Sequence, residues 1–348
     1  MSRRALVTGG SGYFGSLLVA RLRESGYSVE VFDVNDADDR PSDVVFHHGD
    51  IRDLAGVIRA VSRADVVFHN VAQVPVAKDR TLFREVNVGG MENLLHAAKV
   101  GDVGKVVYTS SSAVFGIPER NPVNEKMQPM PAEAYGRAKF EAENLCLKAN
   151  LQGLDVTIIR PRTILGHGRL GIFSILFDWV ADGVDVFVLG SGDNIYQFVH
   201  AEDLADACIE ASRRTGPATY NIGAAEFGTM RQGLEALVTH AGTGSRVRAL
   251  PMRPTVAAMR LAGMTGLVPF APYHWLMYGR SLYFDITKAT TELDWRPRFS
   301  NAEMLMESYE WFLSNRGVRG RSGDASAHRT PVKQRALGLI KVAIRTLL

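Results

Sequence analysis

Residues 4–15 read RALVTGGSGYFG, and this stretch decides the fold. The first five residues predict a short buried strand, and Gly9, Gly12 and Gly15 follow with the spacing TGxxGxxG. At this spacing the first glycine permits a tight turn, the second lets backbone approach a pyrophosphate, and the third allows close packing of a helix. The stretch therefore predicts a dinucleotide site.

The chain beyond the glycines indicates which dinucleotide. A helix is expected from Tyr13, with Phe14 in its first turn, and its N-terminus would point at the phosphates. A second strand, YSVEVFDV, carries Asp33, whose carboxylate would accept hydrogen bonds from both adenosine ribose hydroxyls. The same charge would repel a 2′-phosphate, so NAD(H) is favoured over NADP(H). Asp50 and Ile51, just past another strand, are expected at the adenine.

Strands and helices alternate through the first half of the chain. SDVVFHHGD and ADVVFHN read as strands, and residues 53–62 and 84–99 read as helices. This α/β alternation predicts a Rossmann-type, doubly wound parallel sheet, with a smaller, mostly helical C-terminal substrate lobe. The predicted parts are an NAD-binding domain at 1–169, with a return near 195–213, a substrate lobe at 170–315, a flexible basic linker at 316–331 and an amphipathic basic helix at 332–348.

Composition narrows the possible sites and surroundings. The 348 residues are 46% hydrophobic, enough for one large core or two smaller ones. The apolar run in the opening MSRRALVTGG is too short for a signal peptide, so a cytoplasmic location is expected. Cys146 and Cys208 lack CxxC spacing, which disfavours a disulfide framework or a zinc cluster. His47 and His48 are neighbours on a strand and point to opposite faces, so no metal site is expected.

Charge is distributed unevenly. From Arg316 onward the chain has eight basic residues and one acid, a net charge of +7. The whole chain has a net charge of +3, so the residues before Arg316 carry 3 − 7 = −4. An acidic body without a basic stripe argues against nucleic acid as a partner.

A second motif indicates the chemistry. The strand in GKVVYTSSSAVFG ends in three serines, and AEAYGRAKFEAENL predicts an amphipathic helix carrying Tyr135 and Lys139. Four residues apart, these side chains share a helix face. The Lys139 ammonium and an oxidised nicotinamide would lower the Tyr135 pKa from about 10. The phenolate could then take a proton from a secondary alcohol while hydride leaves its carbon, or protonate a ketone in reverse.

The order TGxxGxxG, serine-rich strand end and YxxxK resembles the extended short-chain dehydrogenase/reductase superfamily. The resemblance continues through VNVGGMENLLHAA, RPRTILGHG, QFVHAEDLADA and TELDWRP, and covers about residues 4–313. It implies that Ser111 is the catalytic serine beside Tyr135 and Lys139, with Ser110 and Ser112 as the alternatives.

The same resemblance implies further contacts. Asn87, Pro161 and Thr163 would join Tyr135 and Lys139 at the cofactor, and the protein would form a homodimer. His167, at a position where many relatives have proline, is interpreted as a loop residue.

Departures from the sugar-nucleotide members indicate the substrate class. Sugar 4,6-dehydratases carry an Asp-Glu pair after the catalytic serine, whereas this chain has Ser112 and Ala113. Epimerases usually carry an arginine before the DFVH-like strand, where this chain has Tyr196 and Gln197. A second arginine, expected near Trp275, is also not evident, although Arg280 lies close.

Apolar residues replace these arginines. Residues 253–284 and 170–180 are rich in methionine, aromatic and aliphatic side chains, which suit an adaptable apolar pocket. The alternative is that they form only the core of the lobe or a dimer surface. The segment DNIYQFVH also resembles the 3β-hydroxysteroid dehydrogenase and sterol decarboxylase branch.

The last residues, TPVKQRALGLIKVAIRTLL, predict a basic amphipathic helix, with Thr330 as its cap and Pro331 at its first position. It is too short and too charged to span a bilayer. It could lie on an anionic membrane surface, placing the protein at the inner face of the cell membrane. Docking on the body of the protein or on a second subunit is the alternative.

Together these observations predict an NAD(H)-dependent oxidoreductase that interconverts a secondary alcohol and a ketone on a lipid-like substrate, of sterol, isoprenoid or 3-oxo sphingoid type. A nucleotide-sugar 4-epimerase of the same fold is the alternative. A redox-sensing protein without catalysis is disfavoured because Ser111, Tyr135 and Lys139 are all present.

Overall fold

The computed structural model describes residues 2–73, 80–265, 278–316 and 341. The strands are β1 (Arg4–Thr8), β2 (Ser28–Asp33), β3 (Val45–His48), β4 (Val66–His69), β5 (Lys105–Thr109), β6 (Val156–Pro161), β7 (Thr163–Leu165), β8 (Val186–Leu189), β9 (Ile195–Tyr196), β10 (Phe198–His200), β11 (Ala218–Ile222), β12 (Gly228–Thr229) and β13 (Val247–Leu250). The helices are α1 (Tyr13–Glu24), α2 (Leu54–Val61), α3 (Arg80–Arg84), α4 (Gly90–Val100), α5 (Ala134–Leu151), α6 (Phe173–Ala181), α7 (Ala201–Arg213), α8 (Met230–Ala241), α9 (Met252–Thr265), α10 (Thr287–Glu292) and α11 (Asn301–Ser314).

Seven parallel strands form the central sheet, in the order β11-β6-β5-β4-β1-β2-β3. The order reverses between β1 and β4, so the connections from these strands diverge and leave a crevice at their carboxyl ends. The predicted Rossmann-type sheet is confirmed, and the predicted dinucleotide stretch lies at this crevice.

Both faces of the sheet are covered by helices. Val7 packs in a core with Leu18 of α1 and Leu204 of α7. Its neighbour Leu6 points to the opposite face and packs in a core with Leu94 of α4. Successive residues of one strand thus serve two cores, which explains why strands such as β4 are apolar at nearly every position.

The second lobe has its own core and is smaller and mostly helical, as predicted. Helices α6, α8 and α11 surround it, and two short strand pairs, β8–β13 and β9–β12, complete it. Residues 266–277 of the predicted apolar segment, the 317–331 part of the linker, and the C-terminal helix apart from Lys341 lie outside the described residues.

The helix predicted over residues 84–99 has a different form. It begins at Arg80, and a wide turn over Glu85–Gly89 with π-type hydrogen bonding separates α3 from α4. Such turns occur often near functional sites. This one carries Asn87.

No helix in the described part of the chain is both long enough and apolar enough to cross a bilayer.

Candidate functional site

The glycine turn after β1 forms one end of a large cavity. Gly9 has a φ of +73°, and a Cβ there would lie 2.9 Å from the Val71 nitrogen. A Cβ on Gly15 would lie 2.0 Å from the Gly9 oxygen. These contacts hold α1 against the turn, with Gly12 at the N-cap of α1 and Tyr13 as its first residue. Backbone N–H groups at this helix end can therefore bind phosphate oxygens.

Asp33 lies at the end of β2 and lines the same cavity. Its carboxylate accepts a hydrogen bond from the Ser11 nitrogen at 3.1 Å, and burial raises its pKa above the usual value. Asp50 and Ile51 also line this end, although the Asp50 carboxylate is paired with Arg52 at 2.7 Å. The predicted ribose and adenine residues are thus together at one end of the cavity.

Asn87 occupies a different position from the other predicted cofactor residues. It is buried behind the cavity lining, where its side chain accepts from the Gln73 nitrogen at 2.8 Å and donates to the Gln73 oxygen at 3.1 Å. Asn87 thereby fixes the loop after β4, and Gln73 itself lines the cavity.

Tyr135 and Lys139 lie on α5 and line the middle of the cavity. Glu133 caps the helix by accepting from the Tyr135 and Gly136 nitrogens, at 2.8 and 2.6 Å. The Lys139 ammonium donates to the Thr109 oxygen at 2.8 Å, and burial lowers its pKa to about 7. The lysine is therefore fixed by the end of β5, on the helix face that it shares with the tyrosine.

The three serines after β5 have different surroundings. Ser110 is buried and donates to Glu143 at 2.6 Å, and Ser112 is buried and accepts from Arg162 at 2.7 Å. Ser111 is partly exposed, lines the cavity, and caps the following turn by accepting from the Ala113 nitrogen at 3.2 Å. Of the three, Ser111 is the serine best placed to contact a substrate oxygen.

Pro161 and Thr163 line the cavity beyond the end of β6. The Thr163 hydroxyl lies 2.8 Å from the hydroxyl of Tyr196, and the Tyr196 ring packs on Phe198, with ring centroids 5.1 Å apart. The position at which epimerases carry an arginine is thus part of an aromatic wall.

A buried ion pair near Tyr135 and Lys139 was not predicted from the sequence. Glu143 accepts from Arg160 at 2.9 and 2.6 Å, and the two side chains are 1% and 8% exposed. Glu143 is four residues after Lys139, so the spacing that places Lys139 beside Tyr135 also places Glu143 on that face. That spacing was the available signal.

Asn70 was also missed. It follows β4, lines the cavity, and accepts a hydrogen bond from the Thr109 hydroxyl at 2.6 Å. Its amide nitrogen is buried and has no partner within the described part of the chain. A polar residue directly after the apolar strand ADVVFH was the signal.

The residues present fit NAD. The cavity of 1260 Å³ runs from the glycine turn and Asp33, past Tyr135, to the second lobe. The close approach of Gly15 to Gly9 holds the N-terminus of α1 against the glycine turn, and Asp33 suits ribose hydroxyls. The Ser11 hydroxyl and the Asn70 amide nitrogen have no partner among the described residues. When bound, NAD would supply hydride transfer at the Tyr135 end.

The histidines and cysteines have structural surroundings. His167 lies 2.6 Å from Glu307, and His47 lies 2.5 Å from Glu30. Both cysteines are buried and free, and burial raises the pKa of the Cys208 thiol to about 12. Among the described residues, no group of three or more His, Cys, Asp or Glu side chains is arranged to hold a metal ion.

Comparisons with known proteins agree with this geometry. The profile of the NAD dependent epimerase/dehydratase family matches residues 5–223. An uncharacterised protein, y4nG, of Sinorhizobium fredii is 53% identical over 99% of this chain and 87% of its own length. The UDP-glucose 4-epimerase of Mycolicibacterium smegmatis is 30% identical over 89% of this chain and 98% of its own length.

Two further proteins are similar to this chain. The human sterol-4-alpha-carboxylate 3-dehydrogenase (decarboxylating) is 31% identical over 61% of this chain and 59% of its own length. The crystal structure of Thermus thermophilus UDP-glucose 4-epimerase in complex with NAD superposes with a TM-score of 0.72, at 27% identity, over 89% of this chain and 99% of that one. With its glycine turn, Asp33 and Tyr-Lys pair, the chain belongs to the NAD-dependent epimerase/dehydratase family and is an NAD-dependent enzyme of the extended short-chain dehydrogenase/reductase type.

Proposed function

We propose that the protein interconverts a secondary alcohol and a ketone on a lipid-like substrate, with NAD(H) as its redox cofactor. The observation that carries this proposal is the lining of the cavity beyond Tyr135. That part is built from apolar side chains of α6, β8, β13 and α9, among them Ile175, Leu176, Trp179, Phe187, Leu250 and Met259. Such walls suit a hydrocarbon better than a sugar with its hydroxyl groups.

The positions of the arginines also support this proposal. Tyr196 stands where epimerases usually carry an arginine, and its hydroxyl is already hydrogen-bonded to Thr163. Arg280 is exposed and does not line the cavity. Trp275, the other position considered, lies outside the described residues. Tyr196 therefore does not make the contact to a nucleotide diphosphate that an arginine there would make, and Arg280 does not replace it at the cavity.

The chain's own residues can carry the proton steps. Tyr135 would take the proton of a substrate hydroxyl, or return it to a ketone oxygen, while Ser111 donates a hydrogen bond to that oxygen. Lys139 would stabilise the Tyr135 phenolate, because its ammonium is held on the same helix face by the Thr109 oxygen. Apolar walls would exclude water from the reacting carbon. NAD would accept or donate the hydride.

The relatives point to two substrate classes. One relative's name describes a sterol carboxylate dehydrogenase, and another describes a UDP-glucose 4-epimerase. The apolar lining favours the first class for this chain, so a nucleotide-sugar epimerase remains the alternative.

We also propose that the C-terminal helix binds an anionic membrane surface, where a lipid substrate would be found. Lys341 is the described residue of that helix, and its ammonium contacts Asp178 and lies 2.6 Å from Asp182 at the end of α6. Arg316 pairs with the same two carboxylates, at 2.7 and 2.6 Å. These contacts support docking on the protein's own body, so a membrane would have to compete with this acidic pair.

Product analysis tests the proposed reaction. Purified protein with NAD would be given 3-hydroxysteroids, 3-hydroxyacyl and sphingoid lipids in one set, and UDP- and GDP-sugars in another. We expect a rise in nicotinamide absorbance with a member of the first set, and none with the Tyr135→Phe variant as control. Epimerised sugar without a net change in nicotinamide absorbance would contradict the lipid proposal.

A further inference from the structure

Arg169 lies in the loop after β7, and its side chain lines the cavity between the glycine turn and the apolar walls. Its Nε donates to the Ile164 oxygen at 3.2 Å, which fixes the direction of the guanidinium. The Cζ atom lies 5.6 Å from the ring centre of Tyr13 and 6.0 Å from that of Phe173. Arg169 is thus a fixed cation between two aromatic rings.

No carboxylate in the described part of the chain pairs with this cation. Its Nη1 is shielded from solvent and has no hydrogen-bond partner there. Burial lowers the Arg169 pKa to about 10, and the neighbours that oppose this effect are the Tyr13 and Tyr135 hydroxyls. By contrast, the buried Lys105 and Arg160 have acidic partners, Asp155 at 2.6 Å and Glu143 at 2.6 Å.

Arg169 is half-buried, and a guanidinium that is partly removed from water without an acidic partner destabilises a fold unless something supplies the missing charge. The surrounding rings give only part of that stabilisation. A carboxylate or phosphate would give more, because its oxygens match the planar N–H groups of arginine.

A second guanidinium faces the same cavity. Arg162 is 1% exposed, its Nη1 is used by Ser112, and its Nε and Nη2 have no partner among the described residues. Its Cζ lies 4.9 Å from the ring centre of Tyr196, at the other side of the aromatic wall. Among the described residues, Arg162 and Arg169 are therefore two guanidiniums of the cavity lining without an acidic partner.

From these contacts we propose that Arg169 binds an oxyanion, a carboxylate or a phosphate, inside the cavity. The inference about the substrate rests on the proposed function. It makes the substrate an acidic lipid whose charged group lies close to the reacting carbon, since Tyr135 is a neighbour of Arg169. The pyrophosphate of NAD is the other source of the same chemistry, since Tyr13 of the glycine turn is also a neighbour.

Calorimetric titrations of the full chain distinguish the two sources. The variants are Arg169→Gln, which removes the charge, and Arg169→Lys, which keeps it. Arg231→Gln is the matched control, because Arg231 bonds to the Ser191 oxygen and to Glu235 and does not line the cavity. Each protein is titrated with NADH, and then, loaded with NADH, with decanoate, decyl phosphate and decan-1-ol below their aggregation concentrations.

For a substrate headgroup, Arg169→Gln weakens decanoate or decyl phosphate binding at least tenfold, Arg169→Lys restores part of it, and NADH and decan-1-ol binding stay unchanged. For the cofactor pyrophosphate, Arg169→Gln weakens NADH binding by a similar factor. Either result supports the proposal.

If both Arg169 variants bind NADH and the acidic probes as the unmodified protein does, the proposal is overturned. Decan-1-ol binding in that case would leave the lipid pocket standing. Binding of neither decan-1-ol nor the acids, together with weakened NADH binding in Arg169→Gln, would instead count against the proposed substrate class alone.

Discussion

The two halves of the cavity differ in what builds them. The cofactor half is made of backbone and short polar side chains at the carboxyl ends of β1, β2 and β4, from Gly9 to Asn70. The substrate half is made of long side chains from α6, β8, β13 and α9, which are far apart in the sequence. Close backbone contacts at glycines determine the shape of the cofactor half, whereas side-chain packing determines the shape of the substrate half.

The difference teaches which changes each half tolerates. In the cofactor half an added methyl group meets backbone, as at Gly15, where the Cβ would lie 2.0 Å from the Gly9 oxygen. This backbone cannot move unless the strands move with it, so the cofactor half does not tolerate substitution of these glycines. In the substrate half a change of side chain alters the lining and leaves the sheet intact, so ligand specificity can change there.

Tyr135→Phe is expected to have the largest effect, and it separates chemistry from binding. Losing the hydroxyl should lower the turnover rate by about 10³-fold or more, because the phenol is the group proposed to exchange the proton with the substrate oxygen. NADH affinity should stay within about twofold, since the ring remains. Rate and affinity are measured on the same preparation. Undiminished turnover would show that Tyr135 is not the catalytic acid-base.

Glu143→Gln tests whether the buried ion pair of Glu143 and Arg160 stabilises the fold behind the cavity. Removing one partner of this buried pair leaves Arg160 charged and uncompensated, which should cost about 3–5 kcal/mol in the free energy of unfolding. Denaturant unfolding measures it. Glu141→Gln on the same helix is the matched control, because Glu141 is 48% exposed, and should change stability by less than about 0.5 kcal/mol. Equal effects of the two variants would show that the Glu143–Arg160 ion pair does not stabilise the fold.

The pH dependence of NADH affinity tests the role of Asp33 in the cofactor half. The ionised carboxylate would accept hydrogen bonds from both ribose hydroxyls, whereas the protonated form would accept less well. Burial raises the Asp33 pKa in the free protein, so NADH affinity should begin to fall at a pH above the usual aspartate value of about 3.9 as the solution is acidified. Fluorescence titration across pH measures this.

Asp33→Gly is the matching variant. It should abolish that pH dependence and reduce the preference for NADH over NADPH by about tenfold, one unit of charge repulsion being removed. An unchanged preference would place the ribose elsewhere.

The contact between the tail and the substrate half should have the smallest effect. Ion pairs that keep contact with solvent often contribute only about 0.3 kcal/mol each. Loss of the four contacts in Asp178→Asn with Asp182→Asn should therefore strengthen binding to phosphatidylglycerol vesicles by less than about tenfold, by releasing Lys341 and Arg316. Deleting residues 331–348 should abolish vesicle binding while leaving NADH affinity unchanged. Vesicle binding that survives the deletion would contradict the membrane tether. Sedimentation with vesicles measures both.

Much of the cofactor half could be predicted because its determinants are local. Gly9, Gly12 and Gly15 lie within seven residues and Asp33 at the end of the next strand, so one strand–turn–helix unit fixes their geometry. Tyr135 and Lys139 are one helix turn apart for the same reason. Asn87 could not be placed in this way, because its partner Gln73 lies 14 residues earlier in the chain, after β4.

Residues whose surroundings come from distant segments needed the tertiary structure. The sequence alone left three serines as alternatives, and only the contacts of Ser110 with Glu143 and of Ser112 with Arg162 distinguish Ser111. The surroundings of Arg169, which has no acidic partner among the described residues, likewise depend on side chains from separate segments, such as Tyr13 and Phe173.

By itself, then, the amino-acid sequence determined the sheet, the cofactor and the Tyr-Lys pair, because those depend on spacings along a single strand or helix. The tertiary structure decided the apolar lining, which of the three serines is partly exposed, and the two guanidiniums of the cavity that have no acidic partner in the described part of the chain. These depend on which side chains meet across the crevice, and a linear spacing carries no record of that.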